Sequence, residues 1–162
     1  MIEFPNMPPA VEPPRGSHAA SVDEKGRLKL PAPFKRYVES FGEKRVFVTS
    51  LDLQTVGIYP TAVWRDVERF FETQTDDPED TEDLFLIANG MGADCEMDEQ
   101  GRVLIHQELR RKVNLESQPV RVDCYKGLIK VRSQQMFEDR FQQATEGLAD
   151  KLKRQRGKGL KW

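Results

Sequence analysis

A six-residue stretch, Asp23-Glu24-Lys25-Gly26-Arg27-Leu28, returns as Asp98-Glu99-Gln100-Gly101-Arg102-Val103. The offset is 75 (98 less 23, 102 less 27), and four of the first five positions are identical. The flanks agree. Leu28 and Leu30 answer to Val103 and Ile105, and a short helical run follows each, at 33–37 and 107–112. Each run carries a basic pair, Lys35-Arg36 and Arg110-Arg111, and a β-like run comes next, at 45–49 and 119–124. Two copies of one unit in a single chain constrain the fold more than any other feature, because a repeat fixes the architecture before single elements are assigned.

Asp-x-x-Gly suits a type I turn, with Asp at its first position and Gly at its last. The Asp side chain can bond its own backbone two residues on, and Gly supplies the positive φ that closes such a loop. The spacing predicts that 19–22 pairs with 27–30, and 94–97 with 102–105. Strand side chains alternate, so Leu28 and Leu30 share one face while Arg27 and Lys29 share the other. Each Arg then stands just past a tight turn, away from the core. Asp23 and Arg27 pairing across the turn for purely structural reasons is one reading. Recurrence of both residues at Asp98 and Arg102 favours a functional one.

The remaining elements follow from pattern. Residues 1–14 are Pro-rich and aperiodic, which predicts a flexible extension. Pro31 stops the strand and Pro33 opens a helix whose apolar face is Phe34, Tyr37, Val38 and Phe41, ended by Gly42. Strands are expected at 45–49 and 55–59. A longer helix then opens at 60 or 61 with the stripe Val63, Trp64, Val67, Phe70 and Phe71, read as packing. The acidic run 76–83 is a solvated connector or the polar start of a helix continuing through Leu84, Phe85, Ile87 and Ala88 and ending at Asn89-Gly90. The second unit begins at Met91. Val120, Val122 and Cys124 alternate, as do Leu128 and Lys130. A last helix starts near Ser133, with Phe137, Phe141 and Ala144 on its buried face, and Gly147 as an interruption.

Composition narrows the classes. The chain has 162 residues, 38% hydrophobic and 32% charged, which allows one domain or two small intertwined halves with a modest core. The absence of a bilayer-length apolar run or a signal sequence predicts a cytoplasmic protein. Cys95 and Cys124 lie in predicted strands and are expected as buried free thiols. His18 and His106 complete no metal-ligand spacing, so neither a metal nor another cofactor is expected. There is no Gly-rich phosphate loop and no nucleophile–base constellation, so the expectation is that the protein is not an enzyme. The net charge of −2 is a sum over the acidic run 76–83 and the basic segment 151–162, and neither touches the turns.

Asp-x-x-Gly-Arg in two copies resembles the MraZ family of bacterial transcriptional regulators, which carry two AbrB-like units in one chain. The likeness extends to Arg15-Gly16 ahead of Asp23, to the V-G-I-Y-P-T-A-V-W segment from Val56 to Trp64, and to Leu109-Arg110. It covers residues 14 to 150. His106 departs from it, standing where the first unit has Pro31, so the second strand is free to end differently.

The resemblance implies an α+β fold, a double swapped-hairpin β-barrel with peripheral helices, since about fifty residues of short strands bury too little alone. The expected organisation is a first unit at 15–75, an acidic connector and helix at 76–90, a second unit at 91–150 and a basic tail at 151–162. The resemblance further implies sequence-specific binding of double-stranded promoter DNA in the nucleoid by a homo-oligomeric ring, with repression of the protein's own division and cell-wall operon through short G-rich direct repeats. No membrane or small-molecule partner is implied.

Arg27 and Arg102 are the candidate base readers, because arginine bridges two acceptors on a guanine edge. Lys25 and Lys29 would hold phosphates, and Gln100 stands where Lys25 does, so the two units should contribute unequally. Asp23, Gly26, Asp98 and Gly101 would support the turns. Two other classes stay open. One is a structural or protein-interaction ring without specific DNA binding. The other is an antitoxin-like protein, for which the basic C-terminus is a poor match.

Overall fold

Short apolar stretches at period two, each bounded by Gly, Pro or Asp, become eight short strands, and the runs at helical period become six helices, in a computed structural model that describes residues 12–116 and 118–162. The flexible extension expected at 1–14 therefore falls, for residues 1–11, outside the described residues. The first segment supplies β1 (His18–Ala20), β2 (Arg27–Lys29), α1 (Ala32–Glu39), β3 (Arg45–Thr49), β4 (Val56–Pro60) and α2 (Thr61–Thr73). Helix α3 (Pro78–Met91) leads to β5 (Ala93–Glu96), β6 (Arg102–Leu104), α4 (Gln107–Lys112), β7 (Val120–Tyr125), β8 (Leu128–Ser133), α5 (Gln134–Thr145) and α6 (Leu148–Gly157).

The strands form two antiparallel sheets, one of order β1-β7-β8-β4-β3-β5 and a two-stranded ribbon β2-β6. The expected pairing of 19–22 with 27–30 is reduced to a single bridge, Val22 to Leu28. Strand β1 instead pairs with β7, and β5 with β3, so each first strand joins the third strand of the other segment. The physical cause lies in the ribbon. Leu30 N–H donates to Gly101 O and Ile105 N–H to Gly26 O, each at 2.9 Å, so the backbone groups flanking β2 and β6 are satisfied across the segments.

The register carries a two-fold relation. In the ribbon, Leu28 lies opposite Val103, the residue 75 positions later (103 less 28). In the large sheet, Val56, Gly57 and Ile58 lie opposite Val131, Lys130 and Ile129. Leu28 and Val103 are fully buried, each worth about 1.5–3 kcal/mol of apolar burial. Around them pack Phe34, Tyr37 and Val38 of α1, Leu109 of α4, and the inward residues Val46, Val48, Ile58, Val120, Val122, Ile129 and Val131.

Outside the large sheet, the two ends differ. Trp64 of α2 is only 7% exposed and sits 4.5 Å from Phe47 and 4.8 Å from Tyr59, ring to ring. Together with Val63 and Ala88 they form a second small core under α3. Phe70, at the far end of the same stripe, is exposed.

The expected buried face of α5 is not found: α5 has no buried residue, and Phe141 and Ala144 are exposed. The outer positions of β7 and β8 beneath it are Arg121, Asp123, Lys130 and Arg132, which offer charge where β3 and β4 offer Phe47 and Tyr59. Phe137 accordingly meets the Arg121 guanidinium, 5.0 Å from its ring centre.

Two boundaries also move, and a third holds. Helix α3 runs through Asn89-Gly90 to Met91 and ends at Gly92, whose extended backbone lies so close to the Phe47 ring that a Cβ would overlap it. His106 caps α4 at φ −59°, ψ 149°, and Pro31 caps α1 at φ −56°, ψ 150°, so β2 and β6 end alike despite the different residues. Gly147, at φ +61°, separates α5 from α6, and the segment expected as a basic tail is helical through Gly157. Cys95 and Cys124 are free thiols, half-buried rather than buried, and burial pushes Cys124 up to about 11.

Candidate nucleic-acid interface

The ribbon sets the geometry. Arg27 stands opposite Leu104, and Lys29 opposite Arg102. With Leu28 and Val103 turned to the core, alternation places Arg27, Lys29, Arg102 and Leu104 together on the outer face. Because β2 and β6 are antiparallel, the turns that precede them lie at opposite ends of the ribbon. The two arginines are therefore united by a shared face. Lys25 and Gln100 are exposed in the turns themselves, beside the exposed acids Glu24 and Glu99.

The turns are built alike. Asp23 N–H donates to Arg27 O at 2.9 Å and Gly26 N–H to Asp23 O at 3.0 Å; Asp98, Arg102 and Gly101 repeat this at 3.1 and 3.0 Å. Asp23 Oδ1 accepts from Lys25 N–H and Arg27 N–H, and Asp98 Oδ1 from Gln100 N–H and Arg102 N–H. Gly26 and Gly101 sit at φ +85° and +80°, where a Cβ is strained.

The other carboxylate oxygen takes the arginine. Arg27 Nε donates to Asp23 Oδ2 at 2.9 Å and Arg102 Nε to Asp98 Oδ2 at 2.6 Å. The pairing across the turn, one of the two readings of the sequence, is thus present in both copies. It engages only the Nε side of each guanidinium. Among the described residues, neither Nη1 nor Nη2 of either arginine makes a hydrogen bond, and the side chains stay 32% and 29% exposed. What remains is a two-pronged donor edge held in a fixed orientation, the arrangement that binds two acceptors at once. The backbone N–H of Arg27, then its guanidinium, holds the Asp23 carboxyl below the usual carboxylate range, and Arg102 does the same for Asp98. Both acids are therefore charged wherever the protein functions near neutrality.

Two further residues complete the turns, and sequence reasoning had not placed them. Arg110 of α4 lies against Gly26 and donates through Nη1 to Ile105 O, with Nη2 3.7 Å from Glu116. Lys35 of α1 lies against Gly101, its Cδ and Cγ 3.1 and 3.2 Å from where a Cβ would stand. Lys35 and Arg110 are themselves 75 apart (110 less 35), so each segment's helix covers the other segment's turn. The repeated basic pairs were the visible signal; the exchange of partners was not.

The structure is thus an α+β protein with two Asp-x-x-Gly-Arg turns at the ends of one shared ribbon, each presenting an oriented guanidinium. Comparison makes the assignment specific. Residues 91–158 match the family model described as "MraZ protein, putative antitoxin-like". A relative from Acidobacterium capsulatum, named transcriptional regulator MraZ, is 42% identical over 102 residues, covering 62% of this chain and 69% of the relative. A relative of the same name from Koribacter versatilis is 34% identical over 105 residues, 64% of this chain and 71% of its own. One from Nitrosospira multiformis is 29% identical over 144 residues, 83% and 98% respectively. The chain belongs to the MraZ family. No helix among the described residues is long and apolar enough to cross a membrane.

Proposed function

We propose that this protein is a transcriptional regulator that binds double-stranded promoter DNA in a sequence-specific way, with Arg27 and Arg102 as base readers. The observation that carries the reading is the unoccupied Nη edge of both arginines on one outer face, each aimed by its own carboxylate. Lys25 and Lys29 hold phosphates, and Asp23 and Asp98, which would repel phosphate, serve to aim the guanidinium. The names of the relatives point the same way. The exchanged pairing of β1 with β7 and β5 with β3 supports two interleaved AbrB-like units, at 15–75 and 91–150, in a swapped-hairpin barrel.

We infer also that copies assemble into a ring, acting in the nucleoid on short promoter repeats, with repression of the protein's own operon as the outcome. The open groove of about 580 Å³ between α5 and β7–β8, lined by Tyr125, Phe137 and Phe141, offers a contact surface for that assembly. In a ring, linked weak contacts gain through effective concentration.

The test is anisotropy titration with a duplex selected from a random pool against a scrambled one. Arg27→Ala and Arg102→Ala should each lower affinity for the selected duplex about 5- to 150-fold, equivalent to about 1–3 kcal/mol, with the fold unchanged. Unchanged affinity in both variants would refute the assignment and leave the ion pairs as turn structure alone.

A further inference from the structure

The two turns differ in charge. Lys25 stands before Gly26, but Gln100 stands before Gly101, and Lys29 is answered 75 positions later by Leu104. The second turn keeps the exposed acid Glu99 and has no lysine of its own. Yet it is covered by one from the other segment, Lys35.

The two covering residues are engaged differently. The Arg110 side chain is 13% exposed, and its guanidinium is spent inward on Ile105 O and Glu116. The Lys35 side chain is 33% exposed, and among the described residues its ionic contact is Glu39 at 3.9 Å. A pair that long and that open to water holds the ammonium weakly. The Lys35 stem lies on Gly101, and Nζ, two bonds beyond Cδ, ends a flexible chain long enough to serve the second turn. Arg36 and Arg111 are exposed in both segments and so do not distinguish the turns.

We propose that Lys35 is the phosphate-contacting cation of the second turn, supplied by the opposite segment in place of the lysine that Gln100 lacks, whereas its counterpart Arg110 braces the first turn and touches no DNA. The proposal rests on the DNA-binding reading above. Each turn loop then has one mobile cation, Lys25 at the first and Lys35 at the second, in addition to Lys29 on the ribbon face opposite Arg102.

The test is a salt series of anisotropy titrations with the full chain and the selected duplex. Lys35→Met keeps the aliphatic stem over Gly101 and removes only the charge. It should flatten the plot of log affinity against log salt by the same amount as Lys25→Met, about 0.9 for each protomer in contact with the duplex. The preference for selected over scrambled duplex should persist. Adding Gln100→Lys to Lys35→Met should restore the slope. A slope that falls with Lys25→Met but not with Lys35→Met would overturn the proposal while leaving DNA binding intact. So would a slope lost with Lys35→Met that Gln100→Lys fails to restore, since the residue would then act through turn geometry. A wild-type chain with no salt-sensitive affinity for any duplex would overturn the DNA-binding reading itself.

Discussion

Replacing Gly26 and Gly101 by alanine, one at a time, probes the supports beneath the two turns. Both residues have left-handed backbones, φ +85° and +80°, so either substitution introduces about 1–2 kcal/mol of strain. The surroundings then separate them. At Gly101 the new methyl meets Lys35 Cδ, Cγ and Cβ at 3.1, 3.2 and 3.5 Å, all on a flexible, partly exposed side chain that moves aside at little cost. At Gly26 the methyl overlaps the Arg110 guanidinium, with Ile105 O at 3.0 Å behind it. The guanidinium must leave, forfeiting its bond to Ile105 O; a hydrogen bond from a charged donor contributes about 1.5–3 kcal/mol. Gly101→Ala should therefore lose about 1–2 kcal/mol and Gly26→Ala about 2.5–5 kcal/mol. Urea unfolding followed by circular dichroism, at one protomer concentration, gives both values. In an Arg110→Ala background the Gly26→Ala loss should shrink to the strain alone, about 1–2 kcal/mol. Equal losses for the two glycines, or no coupling to Arg110, would refute the brace.

Two more outcomes are expected. The folded carboxyls of Asp23 and Asp98 titrate below the ordinary value of 3.8, so their contribution is complete above that pH and disappears as pH falls through the lowered folded values. The Asp23→Asn, Asp98→Asn double variant should lose that part of the acid dependence; unfolding midpoints that run parallel to wild type from pH 5 to about 2 would show that the pairs add nothing. Phe141→Asp should leave the fold intact, since α5 buries no residue, and should lower the native mass; an unchanged mass would remove the α5 groove from the assembly surface.

The turns were legible because their requirements are local. Asp at the first position, Gly at positive φ and Arg on the outer face all follow from spacing and alternation within ten residues. Pro31 and Pro33 likewise announced α1. Strand partnership was not legible in the same way. The pattern of β1 and β2 fits an ordinary hairpin, and only the satisfaction of Leu30 N–H by Gly101 O and of Ile105 N–H by Gly26 O selects the exchanged pairing. The α5 misreading has a related cause. Phe137, Phe141 and Ala144 make a sound apolar stripe, but burial depends on what lies beneath, and β7–β8 present Arg121, Asp123, Lys130 and Arg132 there. Arg110 and Lys35 stood out as repeated basic residues, yet their seats on each other's turns depend on the crossing of two segments about 75 residues apart, a tertiary effect that local pattern does not carry.

The ribbon also bears on how the proposed DNA contact would be made. Arg27 and Arg102 occupy diagonal positions on adjacent strands, so their β-carbons lie about 7–8 Å apart or slightly less, about two base steps at 3.4 Å each. Each side chain is drawn by its own aspartate toward its own turn, so the donor edges stand farther apart than that, with Lys29 and Leu104 between them. The frame is two-fold, with Leu28 facing Val103, but its decoration is not. Lys25 and Leu104 stand at the Arg27 end, and Gln100 and Lys29 at the Arg102 end. A two-fold frame with equal ends would favour inverted sequence repeats, which present the same face to each end. Unequal ends would give a protomer bound as proposed a direction along the duplex. Under the proposed reading, such a protomer would suit the direct repeats that the family resemblance implies, and a ring of identical protomers would engage several of them only if they keep one orientation.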